Sequence, residues 1–513
     1  MTQRALGKMV VGDILATAAV RYADREAFYC SSTQRRFSFR QTNERCNRLA
    51  HGLSGLGLRK GDVVAFLSSN RVEIVEIYFA LAKAGLVGIP LNYRLTPAEM
   101  IVLMREIGAK ALLAERRFGE VMRLVEGELP GVEHRVSFGD GPAGSEHDYE
   151  SLLAQSACTE PDVEVEEADP YYFNLTSGTT GVPKCYQISQ YNNATLGPMF
   201  EAMDLSRRDV VLSVFPMYGR VGFAWAGCSV MYGIRNVLAN FEPDATLRLI
   251  HNERVTITNL VPTMAAMLLA SPVLPDVDLS SLRGLVFAGS LLPAPIREAA
   301  TARLCPHLYE YYGMQETGPL VVSTPEDRAR RPNSIGRAIL YAEVRVIGLD
   351  GQDVPALATG EIIGRSPGTV TMYHDNPAKT AETFKQGWVH TGDLGHLDAE
   401  GYLYINGRIK DLIVTGGQNV HAGEVEERIL LHPGVAECAV IGLPHPKWGE
   451  GVTAVVVVRA GQTLQAGEIE ALCRQHLAGF KVPKTILLQT EPLPRTATGK
   501  VQKFRLVERY GAA

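Results

Sequence analysis

Asn174-Leu175-Thr176-Ser177-Gly178-Thr179-Thr180-Gly181-Val182-Pro183-Lys184 is the stretch on which the reading of this chain turns. It follows Tyr171-Tyr172-Phe173, a short aromatic run that reads as a strand. Four hydroxyls, two glycines and one lysine are packed into a few residues. Glycine lets a backbone approach an anion closely. Successive N–H groups, hydroxyls and an ammonium then make a cradle for a polyphosphate. The spacing is not G-x-x-x-x-G-K-[ST], so this is not the P-loop of kinases and GTPases. The plain alternative is a flexible Ser/Thr/Gly surface loop, and the rest of the chain must decide between them.

Working outward, composition removes several classes. The chain has 513 residues, 46% hydrophobic and 21% charged, with a net charge of −5. That length suggests several domains with ample material for large cores. The weak acidic balance offers no basic field for nucleic acid or an anionic membrane. Met1 to Val20 lacks a basic region followed by an unbroken apolar run, with Asp13 interrupting it, so no signal peptide is read there. The longest apolar stretch, Val221 to Ile234, is too short to span a bilayer and reads as a buried helix. Eight scattered cysteines without a C-x-x-C pair suit reduced thiols and a cytoplasmic location.

Upstream of the opening stretch, strand-like and helix-like segments alternate. Arg36–Phe39 reads as a strand, Arg40–Leu56 as an amphipathic helix, Val63–Leu67 as a buried strand and Val72–Ala84 as a helix closed by Gly85. This βαβα rhythm predicts a mostly parallel sheet covered by helices. Gly139 to Asp169, polar and rich in Gly and Glu, is expected to cross the surface. Downstream, strands at Asp209–Phe215, Thr256–Val261 and Leu282–Phe287 each end in a small or proline-bearing turn, where doubly wound sheets form their ligand crevice. From about residue 335, Val344–Ile347 and Gly360–Ile363 suggest a small β-rich subdomain. Gly407 to Asp411 separates it from a compact tail with its own strands, Ala439–Gly442 and Thr453–Val458. The expected fold is α/β: a large N-terminal domain (1–409) of doubly wound, mostly parallel sheets with the β-rich subdomain, and a small mobile α+β domain (410–513).

Four further clusters carry chemistry. In Tyr311-Tyr312-Gly313-Met314-Gln315-Glu316, an aromatic ring beside a glycine can lie against a base, and the carboxylate can hold Mg²⁺. Trp388-Val389-His390-Thr391-Gly392-Asp393 ends in a carboxylate with two acceptor oxygens. Gly407 to Glu426 includes Arg408, Lys410 and Gly416-Gly417. Pro494-Arg495-Thr496-Ala497-Thr498-Gly499-Lys500 puts an ammonium on the small tail.

These five motifs, in this order, resemble the adenylate-forming superfamily of acyl-CoA synthetases, peptide-synthetase adenylation domains and luciferases. The resemblance covers essentially the whole chain. It implies an ATP site built from Thr176, Ser177, Gly178, Thr179, Thr180, Gly181, Lys184, Gly289, Ser290, Tyr311, Tyr312, Gly313 and Gln315. It puts Asp393 and Arg408 on the ribose and Glu316 on Mg²⁺. Lys410 becomes the hinge, Gly416-Gly417 the surface for the pantetheine arm of CoA, and Lys500 the catalytic lysine. Tyr218, Gly219, Phe223 and Ala288 are expected at the acyl pocket. Departures from the pattern are Gln315 in place of a hydroxyl residue, Ala422 in place of a proline, and Gly219 where many relatives carry a histidine. An amide N–H₂ can still donate to phosphate, so Gln315 reads as a variant rather than a loss. Arg220, beside Gly219, is expected to face solvent rather than a polar acyl tail, because a buried arginine needs a partner.

The resemblance implies that a carboxylic acid is joined to CoA by way of an acyl-adenylate, with ATP and CoA as co-substrates. A medium- or long-chain fatty acid is expected, with an aryl acid next, and an adenylating enzyme with an acceptor other than CoA is the further alternative. The stretch after Phe215-Pro216 has no acid to hold an α-ammonium, which argues against a peptide-synthetase domain. A luciferase-like oxygenase is excluded only weakly. A non-catalytic binder would be expected to lose Lys500, Glu316 or Asp393, and all three are present. Oligomeric state is left open, a homodimer included.

Overall fold

The computed structural model describes residues 8–141, 146–176, 184–290, 292–495 and 501–511. Two large sheets dominate. One has seven strands, in spatial order His147–Asp148, His134–Phe138, Ala109–Glu115, Val63–Leu67, Val87–Pro90, Pro170–Thr176 and Lys184–Ser189. All its neighbours are parallel except the last pair, a hairpin in which Thr176 is opposite Lys184. The second has nine strands: Arg337–Ala338, Gly318–Ser323, Leu308–Met314, Gly284–Phe287, Ile257–Leu260, Val210–Ser213, Arg235–Leu238, Glu26–Cys30 and Arg35–Ser38. Its middle is parallel and both edges are antiparallel.

The parallel strands are buried on both faces, which explains their unbroken apolar runs. Helices Phe39–Gly55 and Val72–Ala84 show how local sequence sets the elements. Ser38 caps the first through a reciprocal bond pair with Gln41. The second is buried at every residue and stops at Gly85, whose φ of +65° suits glycine.

The sheets meet through aromatic packing. Phe223, from the helix Arg220–Tyr232, stacks on Tyr78 with ring centroids 3.7 Å apart. Tyr171 and Tyr172 close around the pair edge-on. Truncating such a buried ring to alanine costs about 3–5 kcal/mol. Phe223, expected at the acyl pocket, is fully buried among these rings.

An antiparallel sheet of Glu343–Ile347, Gly360–Arg365, Trp388–Leu397, Phe384–Lys385 and Leu403–Arg408 forms the β-rich part. Beyond it a mainly antiparallel sheet is built on Val435–His445 and Gly449–Val458. One expectation fails on the upstream side. Within 139–169 the chain forms the edge strand His147–Asp148 and the helix Tyr149–Ala154, with Tyr149 and Leu153 buried. Asp148 caps that helix, so a polar stretch supplies structure rather than only crossing the surface.

Candidate active site

The centre of the site is the turn Gln315-Glu316-Thr317 that joins Leu308–Met314 to Gly318–Ser323. Gly313 is required there: a Cβ would lie 2.1 Å from the Gly318 carbonyl oxygen. Gly318 adopts a φ of +69°. The Thr317 hydroxyl accepts from the Met314 N–H at 2.9 Å, and the Ser366 hydroxyl donates to the Thr317 carbonyl at 2.7 Å. The turn is therefore tied down on both sides.

Glu316 is 5% exposed. The Tyr373 hydroxyl donates to its Oε1 at 2.5 Å, and the Val370 N–H donates to its carbonyl at 2.8 Å. Burial and then the Glu316 charge push the Tyr373 hydroxyl well above its usual pKa, so it stays a donor. Beside it, the Tyr186 hydroxyl donates to Gln315 Oε1 at 2.8 Å. That bond turns the N–H₂ end of the amide toward any further partner, in keeping with a donor role for Gln315.

Arg220 corrects the expectation of a solvent-facing side chain. It is 3% exposed and donates to the Gln315 carbonyl at 2.5 Å and to the Gly368 carbonyl. Backbone carbonyls supply the partners that composition could not reveal. Gly368 lets them meet, since a Cβ there would stand 3.2 Å from the guanidinium. Arg220 opens its helix, directly after Gly219, and so bolts the Gln315–Thr317 turn to the 366–369 loop. Gly219 itself has φ −94° and space around it: a Cβ would meet only the Pro216 carbonyl, at 3.5 Å. Three residues on, a Cβ at Gly222 would lie 2.3 Å from that same oxygen.

The second cluster surrounds Asp393, 7% exposed. It lies inside the long strand Trp388–Leu397 rather than in a turn, and is the cross-strand partner of Arg408. Arg408 Nε donates to Oδ1 and the Tyr312 hydroxyl to Oδ2, each at 2.7 Å. The Thr391 hydroxyl accepts from the Asp393 N–H at 3.0 Å. Burial and the nearby Asp393 push the Tyr312 hydroxyl up, so it too remains a donor. Tyr311, on the opposite face of the same strand, receives a bond from Asn259 at 3.3 Å, and burial raises its pKa to about 12. Only Tyr312 therefore shares a side with Asp393.

Ala288, Gly289 and Ser290 follow the strand Gly284–Phe287, with Gly289 at φ +85°. Tyr218 packs edge-on against Tyr93 at 5.1 Å. Thr176 and Lys184 stand opposite each other at the ends of their strands. The intervening 177–183, and Lys500, lie outside the described residues.

Lys410 sits exposed in the single turn Ile409–Asp411, between the strands Leu403–Arg408 and Leu412–Thr415. Gly416 and Gly417 form a two-residue hairpin turn with φ of +56° and +76°. A Cβ on Gly416 would lie 2.8 Å from the Trp448 ring, whereas Gly417 is open. His421 packs against Gly407, and burial lowers its pKa.

Sequence reading did not find Arg220 in this role, nor Tyr186 and Tyr373. All three act through contacts more than fifty residues away in sequence, which no local motif marks.

Comparison with known proteins points to one family. A family described as AMP-binding enzyme matches residues 15–374, and the AMP-binding enzyme C-terminal domain matches 424–500. An indoleacetate–CoA ligase of Aromatoleum aromaticum is 36% identical over 475 residues, 92% of each chain. A long-chain-fatty-acid–CoA ligase of Mycobacterium tuberculosis is 31% identical, covering 98% of this chain and 99% of its own. The crystal structure of ATP-bound MatB from Rhodopseudomonas palustris superposes with a TM-score of 0.88 at 30% identity, over 98% of this chain and 99% of that one.

Proposed function

The chain belongs to the AMP-binding enzyme family, and from that premise we propose that it joins a carboxylic acid to CoA through an acyl-adenylate. The observation that carries this reading is the link between two clusters: Tyr312, in the strand leading to Glu316, holds Asp393. The proposed ribose carboxylate, on the strand Trp388–Leu397, and the proposed metal carboxylate, in the turn after Leu308–Met314, are thus tied together through Tyr312.

In the first half-reaction an oxygen of the acid attacks the α-phosphorus of ATP and pyrophosphate leaves. Asp393, oriented by Tyr312 and Arg408, accepts from the ribose hydroxyls. Gln315 offers its N–H₂ to the α-phosphate. Glu316 suits Mg²⁺: Tyr373 occupies one of its oxygens, and a single carboxylate plus substrate phosphates is a usual magnesium environment. The ion would supply charge neutralisation on the phosphates. Lys500 adds an ammonium to the charge that spreads in the transition state. In the second half-reaction the CoA sulfur, its proton lost, attacks the acyl carbon and AMP leaves. Lys410 is the pivot that exchanges Lys500 for the Gly416-Gly417 turn, so that 1–409 and 410–513 act as separate bodies.

For the acid we propose an aromatic carboxylate. The 36% identity to a ligase named for indoleacetate supports it, and so does the absence of a side chain at Gly219, which the resemblance places at the acyl pocket. A fatty acid, the first expectation, is the second reading, supported by the 31% identity to a long-chain ligase. The test is pyrophosphate release with a panel of arylacetic, arylacrylic and C6–C16 acids, with and without CoA. Adenylation of aromatic acids with CoA-dependent thioester formation is expected. Pyrophosphate release without any thioester would remove CoA from the reading, and a preference for alkyl acids would remove the aromatic assignment.

A further inference from the structure

His134, Glu146 and His147 each bring one ligand atom within 4.8 Å of the others. His134 starts the strand His134–Phe138, and His147 starts the parallel neighbour His147–Asp148. Val136 is the partner of His147, and residues 134 and 136 share a face, so both imidazoles stand on the same side of the sheet. The rings are 6.0 Å apart and tilted by 46°. The Glu146 carboxylate lies 3.6 Å from His147 Nε2. His134 Nδ1 is buried and makes no hydrogen bond, a costly state for a ring nitrogen that a ligand bond would relieve.

Two imidazole nitrogens and one carboxylate oxygen form a donor set for zinc and its neighbours rather than for magnesium or calcium. Ligands around a tetrahedral zinc lie about 3.4 Å from one another, so side-chain rotation suffices to close the cluster. The nearby Arg116 guanidinium is paired with Asp148 at 2.6 Å, which offsets its charge toward a cation. The cluster occupies the edge of the seven-stranded sheet farthest from the Pro170–Thr176 and Lys184–Ser189 hairpin, so it stands apart from the active site.

We propose that His134, Glu146 and His147 form a zinc site that staples the two-residue edge strand to its neighbour, with water completing the coordination. The full chain, stripped with a chelator, is titrated with zinc chloride by calorimetry and melted with and without zinc. One zinc per chain and a higher melting temperature are expected. The His134→Ala/His147→Ala double variant should bind at least tenfold more weakly and lose the zinc-dependent shift. Glu146→Gln, at an exposed side chain, tests the same site should the double variant fail to fold, and should also weaken binding. Binding equal to wild type in the folded variants, through cysteines for instance, or no binding by the wild type, overturns the proposal.

Discussion

The Tyr373 hydroxyl sits 2.5 Å from Glu316 Oε1, and Tyr373 is itself paired in the backbone with Tyr186, whose hydroxyl holds Gln315. Two adjacent residues of one turn are thus each oriented by a buried phenol. Tyr373→Phe removes a bond to a buried carboxylate, worth about 1–3 kcal/mol. The expected result is a rightward shift of the magnesium titration of pyrophosphate release by roughly tenfold, in line with that energy. Glu316→Gln should shift it further. Identical magnesium curves in wild type and both variants would take Glu316 out of the metal site.

Arg220→Met should lower the rate of adenylation by ten- to a hundredfold, the range expected when one positioning contact is lost. The KM for the acid should change little, because the guanidinium holds backbone carbonyls rather than substrate. Arg220→Lys should recover only part of the rate, since a point charge cannot span two carbonyls as a fork does. A large rise in KM with an unchanged kcat would mean that Arg220 touches the acid instead.

The two half-reactions separate the roles of Lys500 and Lys410. Lys500→Ala should lose most adenylation while retaining thioester synthesis from supplied acyl-adenylate. Lys410→Pro should do the reverse, because proline fixes φ near −65° and blocks the change a hinge must absorb. Both variants are assayed in each half-reaction at a temperature where circular dichroism shows them folded. Parallel losses in either variant speak against the assigned role.

His421 carries a pH dependence. Burial lowers its pKa below the usual 6.5, so the folded chain favours the neutral ring and the unfolded chain binds more protons. Its contribution to stability is complete above the unfolded value and is lost as pH falls through that region. The melting temperature should therefore drop as pH falls through 6.5 and on through the lower folded-state value, and drop less in His421→Asn. An equal slope in both proteins would place the dependence elsewhere.

Much of this was legible beforehand. The strand Val63–Leu67 and the helix Val72–Ala84 have the bounds that their apolar patterns predict. The double winding followed from the alternation itself. Asp393 and Arg408, singled out from separate motifs, are direct cross-strand partners. What escaped was whatever depends on remote contacts. Arg220 reads as a surface residue until two carbonyls from residues 315 and 368 close on it. The stacking of Phe223 on Tyr78 likewise joins residues far apart in sequence. His147–Asp148 is too short to announce itself as a strand and exists because His134–Phe138 offers it an edge.

Gly219 has a bearing on how this scaffold can diversify. Its backbone is one that any residue adopts, and a β-carbon there would make an ordinary contact. Gly222, one helical turn away, has no such freedom. Folding therefore tolerates a side chain at position 219, and on the proposed placement of this residue at the acyl pocket a substitution there would act on the cargo. If that proposal holds, a library randomised at that codon alone would vary the mouth of the acyl site on an unchanged framework, so substrate preferences could shift without passing through unstable intermediates.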